Sequence, residues 1–197
     1  RKDIGFDVEA GEVWLDLGAN IGAFAIYCAL RGATAECYEP DADCFAILAR
    51  NVPEFGRHCS AVSVSTEQEI SFWRGRRQMD YSRQTAVQML GLPPHPKGAL
   101  PNTYAGVLTE QTFDGAKMDI EGSEGPLIDQ WLIPTCRKLC LEYHLSRDPS
   151  LERLQRRIDV LRGHFSVVRY PADLDRLIAS GGKYGRTYYD RLIHCIA

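Results

Sequence analysis

The sequence predicts a doubly wound α/β fold, and three observations carry that prediction. A short apolar run breaks into a glycine turn, a second apolar run ends in an acid, and strand and helix patterns alternate along most of the chain. The first run, Val13 to Leu17, is nearly all apolar, the pattern of a parallel strand covered on both faces. The turn Gly18-Ala19-Asn20-Ile21-Gly22 follows it. Ile21 to Arg31 reads as a helix, with Phe24, Tyr27, Cys28 and Arg31 at helical spacing and Gly32 placed to stop it. Ala33 to Tyr38 is the second strand, closed by Glu39-Pro40-Asp41. Asp41 to Asn51 is helical again, with Phe45, Leu48 and Ala49 on one face and Asp41 or Asp43 available as its cap.

His58 to Val64 reads as the third strand and Glu69 to Trp73 as a partner. From Arg74 to about Thr112 the order weakens. Pro93, Pro94, Pro96 and Pro101 with several glycines forbid long regular elements, although Ser82 to Leu90 has room for a short helix. A stretch this long inside a domain is more often functional than idle, and we read it as a lid and acceptor wall. Asp114 to Ile120 is a strand, Pro126 to Leu132 a helix, and Lys138 to Tyr143 a further strand. Ser150 caps a helix whose Leu151, Leu154, Ile158 and Leu161 form an apolar stripe, with Arg153, Arg156 and Arg157 facing water and an end at Gly163. Phe165 to Tyr170 and Thr187 to Ile196 are the last two strands.

A chain of 197 residues with 45% hydrophobic content builds one well-buried core, so a single domain is expected. No apolar run approaches the roughly 20 residues of a membrane helix, and the first residues lack the apolar centre of a signal peptide. The chain therefore reads as soluble. Its seven cysteines, with no Cys-x-x-Cys pair, sit mostly in apolar runs. They read as reduced core residues, which implies a reducing compartment and hence the cytoplasm. A net charge of −3 gives no global pull toward nucleic acid, but Arg74, Arg76, Arg77 and Arg83 make a local basic group beside Trp73 and Tyr81.

The chemistry starts at the first turn. A glycine turn between strand and helix lets a ligand lie close to backbone, and an acid at the tip of the second strand, about 20 residues on, is placed to take ribose hydroxyls. Asp16, Gly18, Ala19, Asn20 and Gly22 are thus read as the floor of a nucleoside-type site, with Glu39 and Pro40 on the ribose. A nicotinamide site would show a central glycine to admit a pyrophosphate, and here that position is Asn20. S-adenosylmethionine, which has no diphosphate, fits better. The second constellation, Lys117-Met118-Asp119-Ile120-Glu121-Gly122-Ser123-Glu124, closes a strand and opens a helix. Asp119 and Glu121 should face the same cleft as Gly18, because ligands bind at the carboxyl ends of the strands in open α/β sheets. Acids near a helix start also suit the helix dipole, which accounts for Glu124 better than for Asp119.

Leu15 to Gly22, Tyr38-Glu39-Pro40-Asp41, Asn51, Ala61-Val62-Ser63 and Lys117 to Glu124 together resemble the FkbM family of S-adenosylmethionine-dependent methyltransferases in motif, order and spacing. The resemblance spans roughly Gly11 to His144. It implies a Rossmann-like class I methyltransferase fold, with a mostly parallel seven-stranded sheet, an antiparallel last strand and helices on both faces. It also implies methylation of a hydroxyl oxygen. The acceptor expected is a sugar, a polyketide-like molecule or another small hydroxylated compound, with a nucleic acid gripped by the arginine group as the alternative. Asp119, Glu121 and His144 are the candidate bases, and Ser60 and Ala61 should lie near the adenine. Asp119, Glu121 and Glu142 would also supply oxygen ligands to a divalent metal, but no dedicated cage is legible, so no resident metal is expected. A nicotinamide-dependent oxidoreductase and a non-catalytic nucleoside-binding module are the rival classes.

Overall fold

The computed structural model describes residues 7–71, 99–145, 150–171, 174 and 191–197. Strand β1 (Val13–Leu17) has the predicted bounds. It pairs in parallel with β2 (Thr34–Tyr38) on one side and with β7 (Thr112–Met118) on the other. Beyond β2 lies β3 (Gly56–His58), and beyond β7 lie β8 (Thr135–Tyr143), β10 (Arg191–Ile196) and β9 (Val167–Arg169). The order is β3-β2-β1-β7-β8-β10-β9. Strand β10 runs antiparallel to both β8 and β9, while the other pairings in this sheet are parallel. The chain moves outward from β1 through β2 and β3, then returns to the far side of β1 as β7. The reversal puts a topological switch point at the carboxyl ends of β1 and β7, where open α/β sheets form their crevice.

Both faces of this sheet are covered. Trp14 packs with Ala25 and Cys28 of helix α1 (Ala23–Leu30) and with Leu48 of α2 (Ala42–Asn51). Leu15 and Leu17, pointing the opposite way as strand alternation requires, pack with Leu127 and Ile128 of α4 (Glu124–Asp129) and with Leu154, Ile158 and Leu161 of α5 (Leu151–His164). The last three are fully buried, worth about 1.5–3 kcal/mol each by transfer. The caps follow the sequence: Asp41 accepts from Cys44 N and Ser150 from Arg153 N.

Four expectations change. Helix α1 begins at Ala23 and not at Ile21, because Gly22 takes a left-handed conformation (φ 91) that no helical turn accommodates. The run from His58 to Val64 is two strands: β3 pairs with β2, and β4 (Ala61–Ser63) leaves to pair with β6 (Ala99–Tyr104). Ser60 sits at the break, its hydroxyl bonded to Ala61 O and to Thr103 Oγ1. The segment expected to be irregular contains β6 and the short helix α3 (Gly106–Thr109). Strand β6 tolerates Pro101 because it changes partner there, pairing with β5 (Glu69–Ser71) up to Pro101 and with β4 from Asn102. Finally, Arg157 does not face water. It is 4% exposed, with Nε and Nη2 donating to the two Asp129 carboxylate oxygens (2.9 and 2.5 Å) and Nη1 to the Tyr143 hydroxyl.

The predicted helix Ser82 to Leu90, the arginines at 74, 76, 77 and 83, Trp73, Pro93, Pro94, Pro96 and the start of the last strand lie outside the described residues. Among the described residues no helix is long and apolar enough to cross a membrane. All seven cysteines are free thiols.

Candidate active site

The carboxyl ends of β3, β2, β1, β7 and β8 lie side by side, and backbone bonds lace them together. Glu39 N donates to His58 O, Gly18 N and Ala19 N both donate to Tyr38 O, and Asp119 N donates to Leu17 O, all at 2.9–3.0 Å. Along this edge the sequence-predicted residues therefore fall in the order Ser60, Glu39, Gly18 to Asn20, Asp119, His144.

The turn after β1 is built from left-handed residues, Gly18 (φ 76), Asn20 (φ 51) and Gly22 (φ 91). Asparagine is among the side chains that best tolerate this region, which explains its place between two glycines. Gly18 has a second reason to lack a side chain: a Cβ there would land on the main-chain carbonyl oxygen of Asp119. The sequence reading assigned this bareness to a ligand, whereas the close neighbour is the end of β7.

Glu39 is buried, and its two carboxylate oxygens accept from Asn20 N and Asp41 N, each at 2.7 Å. It thereby joins the first turn to the start of α2. Burial raises its pKa against the pull of these two bonds. Each oxygen retains a further lone pair for a hydroxyl. Pro40 is half-buried between these two contacts, and Ala61, also half-buried, opens β4.

Asp16 lies beneath the turn, fully buried, and pairs with Lys117 Nζ at 3.2 Å. Lys117 also donates to Gly18 O at 2.7 Å and stands 3.8 Å from Asp119 Oδ2. Burial pulls the lysine pKa down, but Asp16 and Asp119 more than offset this and hold it above 10.5. Complete burial pushes the Asp16 carboxyl up, with Lys117 pulling the other way. Lys117 was absent from the residues assigned to the site by sequence. Its signal was present: a lysine between Ala116 and Met118, two residues before Asp119 and so on the same face.

Across the switch point, the loop after β7 carries Glu121 in a left-handed conformation (φ 55) next to Gly122 (φ 102). Glu124, 1% exposed, caps this loop from inside, accepting from Ile120 N and Gly122 N at 2.9 Å. Ser123, at the start of α4, makes no side-chain cap bond. Glu124 also faces His144 Nδ1 at 3.0 Å. That contact leaves His144 Nε2 toward Glu121 Oε2 (3.5 Å) and Asp119 Oδ1 (3.7 Å). The three candidate bases thus come together, and His144 owes its orientation to Glu124. Glu142 is not part of this group.

No protein-family model matches the sequence, and a search of curated proteins found no match. Solved structures do match. Fibrillarin from Aeropyrum pernix, with natively bound S-adenosyl-L-methionine, is similar over 98% of this chain and 70% of its own, at 12% identity and a TM-score of 0.51. The fold is that of the class I methyltransferases. A fibrillarin in complex with Nop5p is similar over 94% of this chain and 72% of its own, at 14% identity and a TM-score of 0.50. At such identities the likeness concerns the fold, and the expected seven-stranded sheet with its antiparallel strand is confirmed by it.

Proposed function

We propose that the chain is an S-adenosylmethionine-dependent methyltransferase acting on a hydroxyl oxygen of a small acceptor, of the kind its FkbM-like motifs imply. One observation carries the reading: a buried carboxylate at the end of β2, Glu39, is bonded to Asn20 N of the β1 turn, and a carboxylate and imidazole group lies on the other side of that turn. The first half suits a ribose and the second a reacting hydroxyl. Asp16 supports the floor of the site through Lys117 and the Gly18 carbonyl rather than by contact with a ligand.

The reaction is an in-line displacement. The acceptor oxygen forms a bond to the methyl carbon as the carbon–sulfur bond breaks, and the bonding pair returns to sulfur, turning a sulfonium into a neutral thioether. Alignment of the two reactants supplies on the order of 7–11 kcal/mol. The hydroxyl proton must leave, and a base within reach adds roughly 100-fold to 10,000-fold. Asp119, Glu121 and His144 are the groups we assign to that proton. The seven free thiols support a reducing compartment.

The test is transfer of a labelled methyl group from S-adenosylmethionine into a fractionated cell extract, with mass analysis of the product. Label in a small hydroxylated compound supports the proposal. Label in RNA or protein overturns the acceptor class, and binding of NADH in place of the methyl donor overturns the reading altogether.

A further inference from the structure

We propose that Asp119, Glu121 and His144 bind one divalent cation, with a first-row ion such as Mn²⁺ as the best match to the donor set, and that the acceptor hydroxyl takes one of its open positions. The second clause rests on the methyltransferase reading; the first does not. This revises the expectation, drawn from sequence, of no resident metal.

The argument begins with the imidazole. Imidazole Nδ1 lies 3.0 Å from Glu124 Oε1, and Nε2 turns toward two more carboxylates. Nε2 and the two carboxylate oxygens it faces are all electron-pair donors to a metal ion, and a cation among them would be held by all three. A proton alone fits poorly. A charge-assisted hydrogen bond draws nitrogen and oxygen to about 2.7–2.9 Å, whereas here the separations are 3.5 and 3.7 Å and nearly equal. A shared metal ion fits well, since the three donor atoms all lie within 4.8 Å of one another. Adjacent ligands on an octahedral ion stand about 3 Å apart when bonds are 2.1 Å long, and about 3.3–3.7 Å apart at the longer bonds of Ca²⁺. Closure of the imidazole by about 0.5–0.7 Å on the two carboxylate oxygens therefore brings the donors to the bond lengths of a first-row ion.

The donor set points the same way. Imidazole suits first-row transition ions and carboxylates suit Mg²⁺ and Mn²⁺, so one histidine with two acids selects the overlap. Glu124, outside the donor set and 1% exposed, plays the part of the carboxylate that orients a metal-bound histidine. Lys117 does not compete for the site, because it approaches Asp119 Oδ2 while His144 faces Oδ1. The side chains of Asp119 and Glu121 are 35% and 24% exposed, so the remaining positions open to solvent. A hydroxyl bound there passes its proton to the carboxylate of Glu121, its oxygen gains the methyl group, and the sulfur keeps the bonding pair.

The experiment is a Mn²⁺ titration of the chelator-stripped chain without cofactor, followed by the paramagnetic resonance of free Mn²⁺. One ion per chain is expected, with affinity at least tenfold lower in Glu121→Gln and Asp119→Asn. Glu124→Gln, which removes the charge that orients the imidazole, should lose about 10-fold to 100-fold. Melting curves show that each variant is folded. No binding by the parent chain, or binding that Glu121→Gln and Asp119→Asn both leave unchanged, overturns the cation site. A parallel titration with S-adenosylhomocysteine separates the two proposals. Nucleoside binding without Mn²⁺ leaves the methyltransferase reading and removes the metal; Mn²⁺ binding without the nucleoside does the reverse.

Discussion

Gly18→Ala probes the join between the two halves of the site. Gly18 adopts φ 76, and a methyl group there would land on the Asp119 carbonyl oxygen, with Ile120 Cγ2 at 3.5 Å. The left-handed conformation costs an alanine about 1–2 kcal/mol. Overpacking adds about 1–3 kcal/mol, because the obstacle is backbone tied to β1 by the Asp119 N to Leu17 O bond (3.0 Å) and cannot rotate aside. The expected loss is about 2–5 kcal/mol. Gly11 supplies the control: it has φ 85, yet a Cβ there meets nothing within 4 Å. Gly11→Ala should therefore pay the conformational cost alone, about 1–2 kcal/mol. Urea unfolding of both variants measures the difference, expected at about 1–3 kcal/mol. Equal losses would refute the claim that β1 and β7 meet too closely for a side chain.

Lys117→Met strands Asp16 in full burial and should cost about 3–5 kcal/mol at neutral pH by urea unfolding, with most of it recovered when Asp16→Asn is added. Because Asp16 has a folded-state pKa above 3.8, its protonation favours the native state below that value and the benefit fades as pH rises. Loss of Lys117 raises that pKa further, so the deficit of Lys117→Met should shrink on acidification; a deficit constant with pH would count against the pair. Arg157→Met should destabilise, but by less than the roughly 3–5 kcal/mol of a fully buried pair, because Asp129 is 43% exposed. A neutral result in thermal melting would return Arg157 to the surface role expected from sequence. His194 is half-buried and its pKa is held below 6.5 by burial, so its contribution is present above pH 6.5 and is lost as pH falls through the folded value. His194→Gln should flatten the decline of stability on the acid side of 6.5, and an unchanged decline would contradict this.

The fold was legible where one signal dominated. Strand β1 came out with the predicted bounds because a pentapeptide apolar but for Asp16, placed before a glycine turn, has few other solutions. Partner choice was not legible. Nothing in His58 to Val64 tells that the backbone of Gly56–His58 serves β2 while that of Ala61–Ser63 serves β6, some 40 residues on. Pro101 argued against a strand on local grounds, and the exchange of neighbours that permits it is a tertiary fact. The Arg157 error has the same origin. A stripe drawn from apolar residues alone puts every arginine outside, although a guanidinium between Asp129 and Tyr143 is at home in a protein interior. At the site, Asp119, Glu121 and His144 converge as strand-end positions predicted. The role of Glu124 was hidden because it acts through the imidazole, whereas Lys117, which acts on the Gly18 carbonyl, was marked by its place two residues before Asp119.

The central claim, a nucleoside pocket bounded by the β1 turn and Glu39, is tested most directly by calorimetry of the chain with S-adenosylhomocysteine. One site per chain is expected, weakened by about tenfold or more in Glu39→Gln, since the charge-assisted bonds of that carboxylate are worth about 1.5–3 kcal/mol each. Absence of binding, or binding indifferent to Glu39→Gln, would contradict it.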